Sequence, residues 1–169
     1  NVGTEFTYTC TSTPNVYLVK LKIYRDCGGV QICGNCPSSL SSACAKNIGI
    51  KGLSGTCNSV VIGYTSLPVK TIASGMDVVQ LCALDKSICS NCGTRTPGTF
   101  TPGVEVYTFE GIVNLSALAP SCCNVELFFD DCCRNPANTV LSNASSISFY
   151  SKITLNRCVT PCNNSVVYD

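Results

Sequence analysis

Val16-Tyr-Leu-Val-Lys-Leu-Lys-Ile-Tyr24 decides the architecture of this chain. Tyr17, Val19, Leu21 and Ile23 recur at every second position, with Lys20 and Lys22 between them. That is the period of a strand with one buried and one solvated face. Upstream, Thr4, Phe6 and Tyr8 alternate with Glu5, Thr7 and Thr9 until Thr11-Ser-Thr-Pro-Asn15 breaks the run, so the chain opens as a β-hairpin. The same reasoning predicts further strands over residues 47–51, 59–65, 77–84, 104–113, 124–129, 146–155 and 165–168. Within 146–155, Ile147, Phe149, Ile153 and Leu155 share a face opposite Ser148, Tyr150, Lys152 and Thr154. Gly-, Pro-, Ser- and Asn-rich segments at Gly28-Gly29, 34–42, 90–103 and 135–145 are turn and loop chemistry, and no long amphipathic helix competes. Eight or nine short strands without a repeat or linker predict one all-β domain over residues 1–169. Its expected form is an antiparallel β-sandwich, immunoglobulin-like or jelly-roll.

The chain has 15 cysteines in 169 residues: Cys10, Cys27, Cys33, Cys36, Cys44, Cys57, Cys82, Cys89, Cys92, Cys122, Cys123, Cys132, Cys133, Cys158 and Cys162. Such density belongs to disulfide-rich proteins of oxidising compartments, so a secreted, extracellular or cell-surface location is expected. Cys33-x-x-Cys36 and Cys89-x-x-Cys92 have the spacing of structural zinc ligands. Eleven competing cysteines and an oxidising setting favour disulfides, and no metal or other cofactor is expected. Redox catalysis by a CxxC pair expects a βαβ setting that this chain lacks. The vicinal pairs Cys122-Cys123 and Cys132-Cys133 bracket a predicted strand. Neighbours on a strand point to opposite faces, so each pair sends one sulfur inward and one outward. Fifteen is odd, leaving at least one cysteine free, modified or bonded to another molecule.

Histidine is absent, which removes the usual general base and the Ser-His and Cys-His nucleophile pairs. Asp130 and Asp131 are adjacent and face apart, unlike a glycosidase pair held across a cleft. Glu105, Glu110 and Glu126 read as solvated or hairpin-end strand positions, and Arg134 as a turn residue able to pair with Asp130 or Asp131. No catalytic residue is identified, and the chain is not expected to be an enzyme. Charged residues make up 12% of the sequence and the net charge is +1, so nucleic acid and anionic membrane are poor partners. So uncharged a surface calls for cover by neighbouring subunits or covalent glycans. Asn114, Asn143 and Asn163 head Asn-x-Ser sequons that would accept such glycans. The chain starts at Asn1 without a charged or apolar leader and reads as a processed form. No run approaches the roughly 18 apolar residues of a spanning helix.

Phe6-Thr-Tyr-Thr-Cys10, followed by a strand ending Tyr24-Arg-Asp-Cys27, resembles the opening domain of large secreted Bacteroidetes surface proteins described as gliding-motility-associated or adhesin-like. Cys132-Cys-Arg-Asn135 resembles their Cys-Cys-Arg-Asn element, and Asn163-Asn-Ser165 before Val166-Val-Tyr168 is similar to their closing segment. The tryptophan found before the Cys-Cys-Arg-Asn element in those proteins is absent, and Val166 replaces a proline. The resemblance implies a surface-exposed structural or adhesive domain and no catalytic residue.

A one-domain, cysteine-stapled chain poor in charge suits the repeating subunit of a pilus-like extracellular filament, with other copies of itself as partner. Strand addition would form the joints, and a non-closing contact propagates as a fibre. Residues 163–169 are the expected donor, with residues 1–9 as alternative, so Val2, Phe6, Tyr8, Val166, Val167 and Tyr168 are the expected interface residues. The competing expectation is an adhesin or carbohydrate-binding module working through loops such as 90–103, for which clustered exposed aromatics would speak. Only Phe100 lies there.

Overall fold

The computed structural model describes residues 3–28, 31–33, 44–71, 74–78, 89, 103–131 and 148–165. The 16–24 pattern becomes β2 (Val16–Asp26), on which every second side chain is buried. The alternation runs on past Ile23, so Arg25 also points inward. β1 (Gly3–Cys10) returns against it in unbroken register, from Gly3 opposite Tyr24 to Cys10 opposite Tyr17. In the turn, the Thr11 hydroxyl donates to Val16 O at 2.8 Å and Asn15 adopts φ 61°, a left-handed conformation that asparagine tolerates.

Working along the chain, β3 (Ala45–Gly52), β4 (Val61–Pro68), the two-residue β5 (Met76–Asp77), β6 (Val104–Asn114), β7 (Asn124–Asp131) and β8 (Phe149–Asn156) follow. They form two four-stranded sheets, ordered β1-β2-β6-β5 and β4-β3-β7-β8, with every strand pair antiparallel. Lettered as A, B, C, C′, D, E, F and G, the orders are A-B-E-D and C′-C-F-G. Of the two sandwiches expected, this is the immunoglobulin-like one. The chain crosses between sheets at Val69. Its N–H donates to Cys44 O at 2.8 Å, and the next N–H, of Lys70, donates to Thr108 O of β6 at 2.7 Å.

Phe6, Leu21, Ile23, Tyr107 and Phe109 of the first sheet meet Ile48, Leu67, Leu127, Phe129 and Leu155 of the second. Each such side chain contributes about 1.5–3 kcal/mol on burial, so the sandwich has a true core besides its crosslinks. Among the described residues, five bridges join Cys10–Cys162, Cys27–Cys89, Cys33–Cys44, Cys57–Cys122 and Cys123–Cys158, at Cα separations of 5.1–6.2 Å. Cys122 points inward to Cys57 while Cys123 reaches Cys158, so the pair splits two ways as expected, just ahead of β7. Cys36, Cys82, Cys92, Cys132 and Cys133 lie outside the described residues.

Most strands run one to three residues beyond the expected ends, and three expected segments begin or continue differently. β4 begins at Val61 because Ser59 sits in a turn at φ 62°, its N–H donating to Gly52 O at 2.9 Å. Of 77–84, Asp77 belongs to β5, Val78 follows it, and 79–84 lie outside the described residues. Strand 146–155 starts at Phe149, with 146 and 147 outside that set. Among the described residues no helix is long and apolar enough to cross a membrane.

Candidate functional site at the sheet edges

A sandwich exposes four edge strands, and here they are treated unequally. β5 is only two residues long. β8 carries Lys152, tied to Glu126 at 2.9 Å. β1 is clasped by the start of the chain's own tail. The Cys10–Cys162 bridge brings the tail alongside, the Ser165 N–H donates to Tyr8 O at 3.1 Å, and the Ser165 hydroxyl both accepts from Tyr8 N–H and donates to Tyr8 O. Asn164 Oδ1 accepts the Cys10 N–H at 2.8 Å. Short length, charge and cover are the usual protections of a sheet edge.

β4 has few of them. Its sequence, Val61-Ile-Gly-Tyr-Thr-Ser-Leu-Pro68, contains no charge, and among the described residues nothing pairs with its outer side. Val61 is 47% and Tyr64 67% exposed, with Val60 and Ile62 exposed beside them. Only Pro68 at one end and a register irregularity at Ile50 and Lys51 of β3 interrupt the edge. An unpaired apolar strand of this kind is a template for another strand.

Next to that edge, the outer face of the second sheet carries three aromatic rings. Tyr64 meets Phe128 edge-on with centroids 6.1 Å apart, and Phe128 lies at 21° to Tyr150 with centroids 5.7 Å apart. Gly49 of β3, paired with both Tyr64 and Phe128, makes room for this row. A Cβ there would fall 2.1 Å from Phe128 Cζ. Beneath Tyr150 lies Glu126, only 4% exposed, which accepts from the Tyr150 hydroxyl and Lys152 Nζ at 2.9 Å each. Burial pushes the Glu126 carboxyl up, but the Lys152 and Tyr150 hydrogen bonds outweigh it and hold it below the ordinary range. Burial and the same bond to Glu126 push Tyr150 up to about 12.

The carboxylates expected on solvated positions therefore divide. Glu110 does stay beside cations, 3.6 Å from Lys20 and paired with Lys70, which holds its carboxyl low. Glu105 is instead 1% exposed, because the β2–β6 register sets it opposite the inward-facing Arg25. The two form a buried ion pair, Tyr107 donates to Glu105 at 2.8 Å, and Arg25 also reaches Cys27 O. Burial, followed by the bond to Glu105, raises the Tyr107 hydroxyl pKa. Cys27, Cys89 and Glu105 have ligand atoms within 4.8 Å of one another. The two sulfurs are bonded together and Glu105 already serves Arg25 and Tyr107, so the trio offers no thiolate to a metal. Cys33 is likewise bonded, to Cys44. Asp131 pairs with Lys46 at 2.9 Å while Asp130 is exposed, so the two do face apart.

Of the residues expected at an interface, Phe6 and Tyr8 lie in the chain's own core on β1, which pairs with β2 along its whole length. Val2, Val166, Val167 and Tyr168 lie outside the described residues, as do Asn143 and Arg134. Asn114 and Asn163 are exposed. The open β4 edge and the aromatic row were not anticipated from the sequence. Phe128-Phe129 held the signal, since of two adjacent phenylalanines on a sandwich strand one must face outward. Comparisons with family models, curated proteins and solved structures return no match, and none links the chain to the Bacteroidetes surface domains its motifs resemble.

Proposed function

We propose that the protein is a structural subunit of a secreted, extracellular filament that polymerises by β-strand addition between copies. The observation that carries this is the β4 edge: eight uncharged residues with Val61, Ile62 and Tyr64 exposed and, among the described residues, nothing paired with the outer side. A strand arriving there would gain backbone hydrogen bonds along β4 and apolar contact with Val61, Ile62 and Tyr64. The tail supplies the donor in this scheme. Its first residues are fixed to β1 through Asn164, Ser165 and the Cys10–Cys162 bridge, and in this scheme residues 166–169 donate. β1 is the poorer donor, because withdrawing it would strip Phe6 and Tyr8 from the core. Dense disulfides fit a subunit that must endure outside the cell.

Two variants test donor and acceptor separately. A chain ending at Ser165 keeps the clasp on β1 and loses only the donor. It should fold with its disulfides and fail to form fibres in electron microscopy. Ile62→Lys with Tyr64→Lys places charges on the β4 edge and should block assembly equally. Normal fibres from the shortened chain would eliminate the tail as donor, and normal fibres from the lysine variant would eliminate β4 as acceptor.

A further inference from the structure

The geometry points to a saccharide-binding platform on the outer face of the second sheet, formed by Tyr64, Phe128 and Tyr150 and taking a neutral glycan through the flat C–H faces of its pyranose rings. Cross-strand aromatic pairs do stabilise sheets, but three features here exceed what packing requires. The rings remain open to solvent, Tyr64 at 67% and Tyr150 at 49%. Their orientation is set in advance: Phe128 rests over Gly49, where a side chain would collide with it, and Tyr150 is tethered by its hydroxyl to the buried Glu126 at 2.9 Å. A rigid aromatic surface with a few fixed polar groups is the usual makeup of a small-ligand site.

Size and charge select the occupant. Tyr64 and Tyr150, at 67% and 49% exposure, leave on the order of 200–300 Å² open, well short of the roughly 800 Å² per partner of a stable protein interface. That area matches one or two sugar rings. Charges around the platform balance, with Lys51 opposite Glu126 and Lys152 opposite Phe128 in the strand registers, and Asp130 opposite Tyr150. Two cations and two carboxylates give no net field, which favours a neutral saccharide over a polyanion. Phe128 and Tyr150 lie on β7 and β8, away from the β4 edge, while Tyr64 belongs to β4 itself.

The test uses the full, unreduced chain, whose tyrosine fluorescence is unobscured because the sequence has seven tyrosines and no tryptophan. Maltohexaose, cellohexaose and mannohexaose are titrated, with hexagalacturonate as charged control. At least one neutral hexaose should give a saturable change with a dissociation constant of about 1 mM or tighter, and the control should give none. Tyr150→Ala should weaken binding about tenfold or more, while Tyr150→Phe, which keeps the ring, should stay within about threefold. If Tyr150→Ala does not fold, Tyr64→Ala at the most exposed ring carries the same expectation. No saturable binding of any neutral hexaose, preference for the galacturonate, or unchanged binding by the alanine variants would each overturn the assignment.

Discussion

Glu105→Ala should be among the most damaging single substitutions in this protein. Glu105 and Arg25 are 1% and 3% exposed, and the loss of one partner leaves the other's charge buried without compensation. Breaking such a pair costs about 3–5 kcal/mol. The Tyr107 hydroxyl also loses its acceptor, so the upper half of that range applies. For a domain of this length that corresponds to a melting-temperature drop of about 8–20 °C. The assay is guanidinium unfolding in non-reducing buffer, followed by tyrosine fluorescence, with the midpoint read at constant slope. Replacing Arg25, Glu105 and Tyr107 together by Met, Met and Phe should recover most of the loss, because an apolar cluster carries no uncompensated charge. A Glu105→Ala loss below about 1 kcal/mol, the range of an exposed pair, would refute the burial assigned to this pair.

Gly49→Ala should cost about 1–3 kcal/mol by driving Phe128 from its seat. Thermal unfolding measures that loss, and a neutral result would mean that Phe128 does not rest on Gly49. Replacing Cys10 and Cys162 by serine opens the longest loop, 152 residues in separation. The other bridges short-cut that loop, so about 4 kcal/mol is expected in the chain-entropy model, against about 3 for Cys33–Cys44, separated by 11. Equal losses from the two bridges would contradict the ranking. Glu126 has a depressed folded pKa, so its stabilising contribution is complete above the ordinary 4.5 and is lost as pH falls through the lower folded value. Acid titration of Glu126→Gln should therefore show a shallower stability decline below pH 4.5 than the native chain, and identical curves would count against the Glu126–Lys152–Tyr150 arrangement.

Much of the fold could be read from period-two patterning. Tyr17, Val19, Leu21 and Ile23 lie on the buried face expected of them, and Leu155 and Ile153 on theirs. Where the pattern misled, tertiary register had intervened. Glu105 resembles any strand carboxylate until β2 sets an inward arginine opposite it, and no local spacing encodes that pairing. Arg157 is similar: its guanidinium donates to Asn15 Oδ1 and to the Leu118 and Ala119 carbonyls, pinning two distant turns to the end of β8. The edges were the least legible. Whether β4 or β1 stays open depends on strand order and on where the tail returns, and Ser165 settles beside Tyr8 across 157 residues of sequence. The aromatic row needed the same information, since Tyr64, Gly49 and Phe128 become neighbours only through β4–β3–β7 pairing.

Cryo-electron microscopy of the native, unreduced protein would show whether copies join through β4. Regular filaments are expected, with one sandwich per repeat and a strand from the neighbouring copy lying along β4. Dispersed single domains, or filaments in which the β4 edge remains open, would contradict strand addition there.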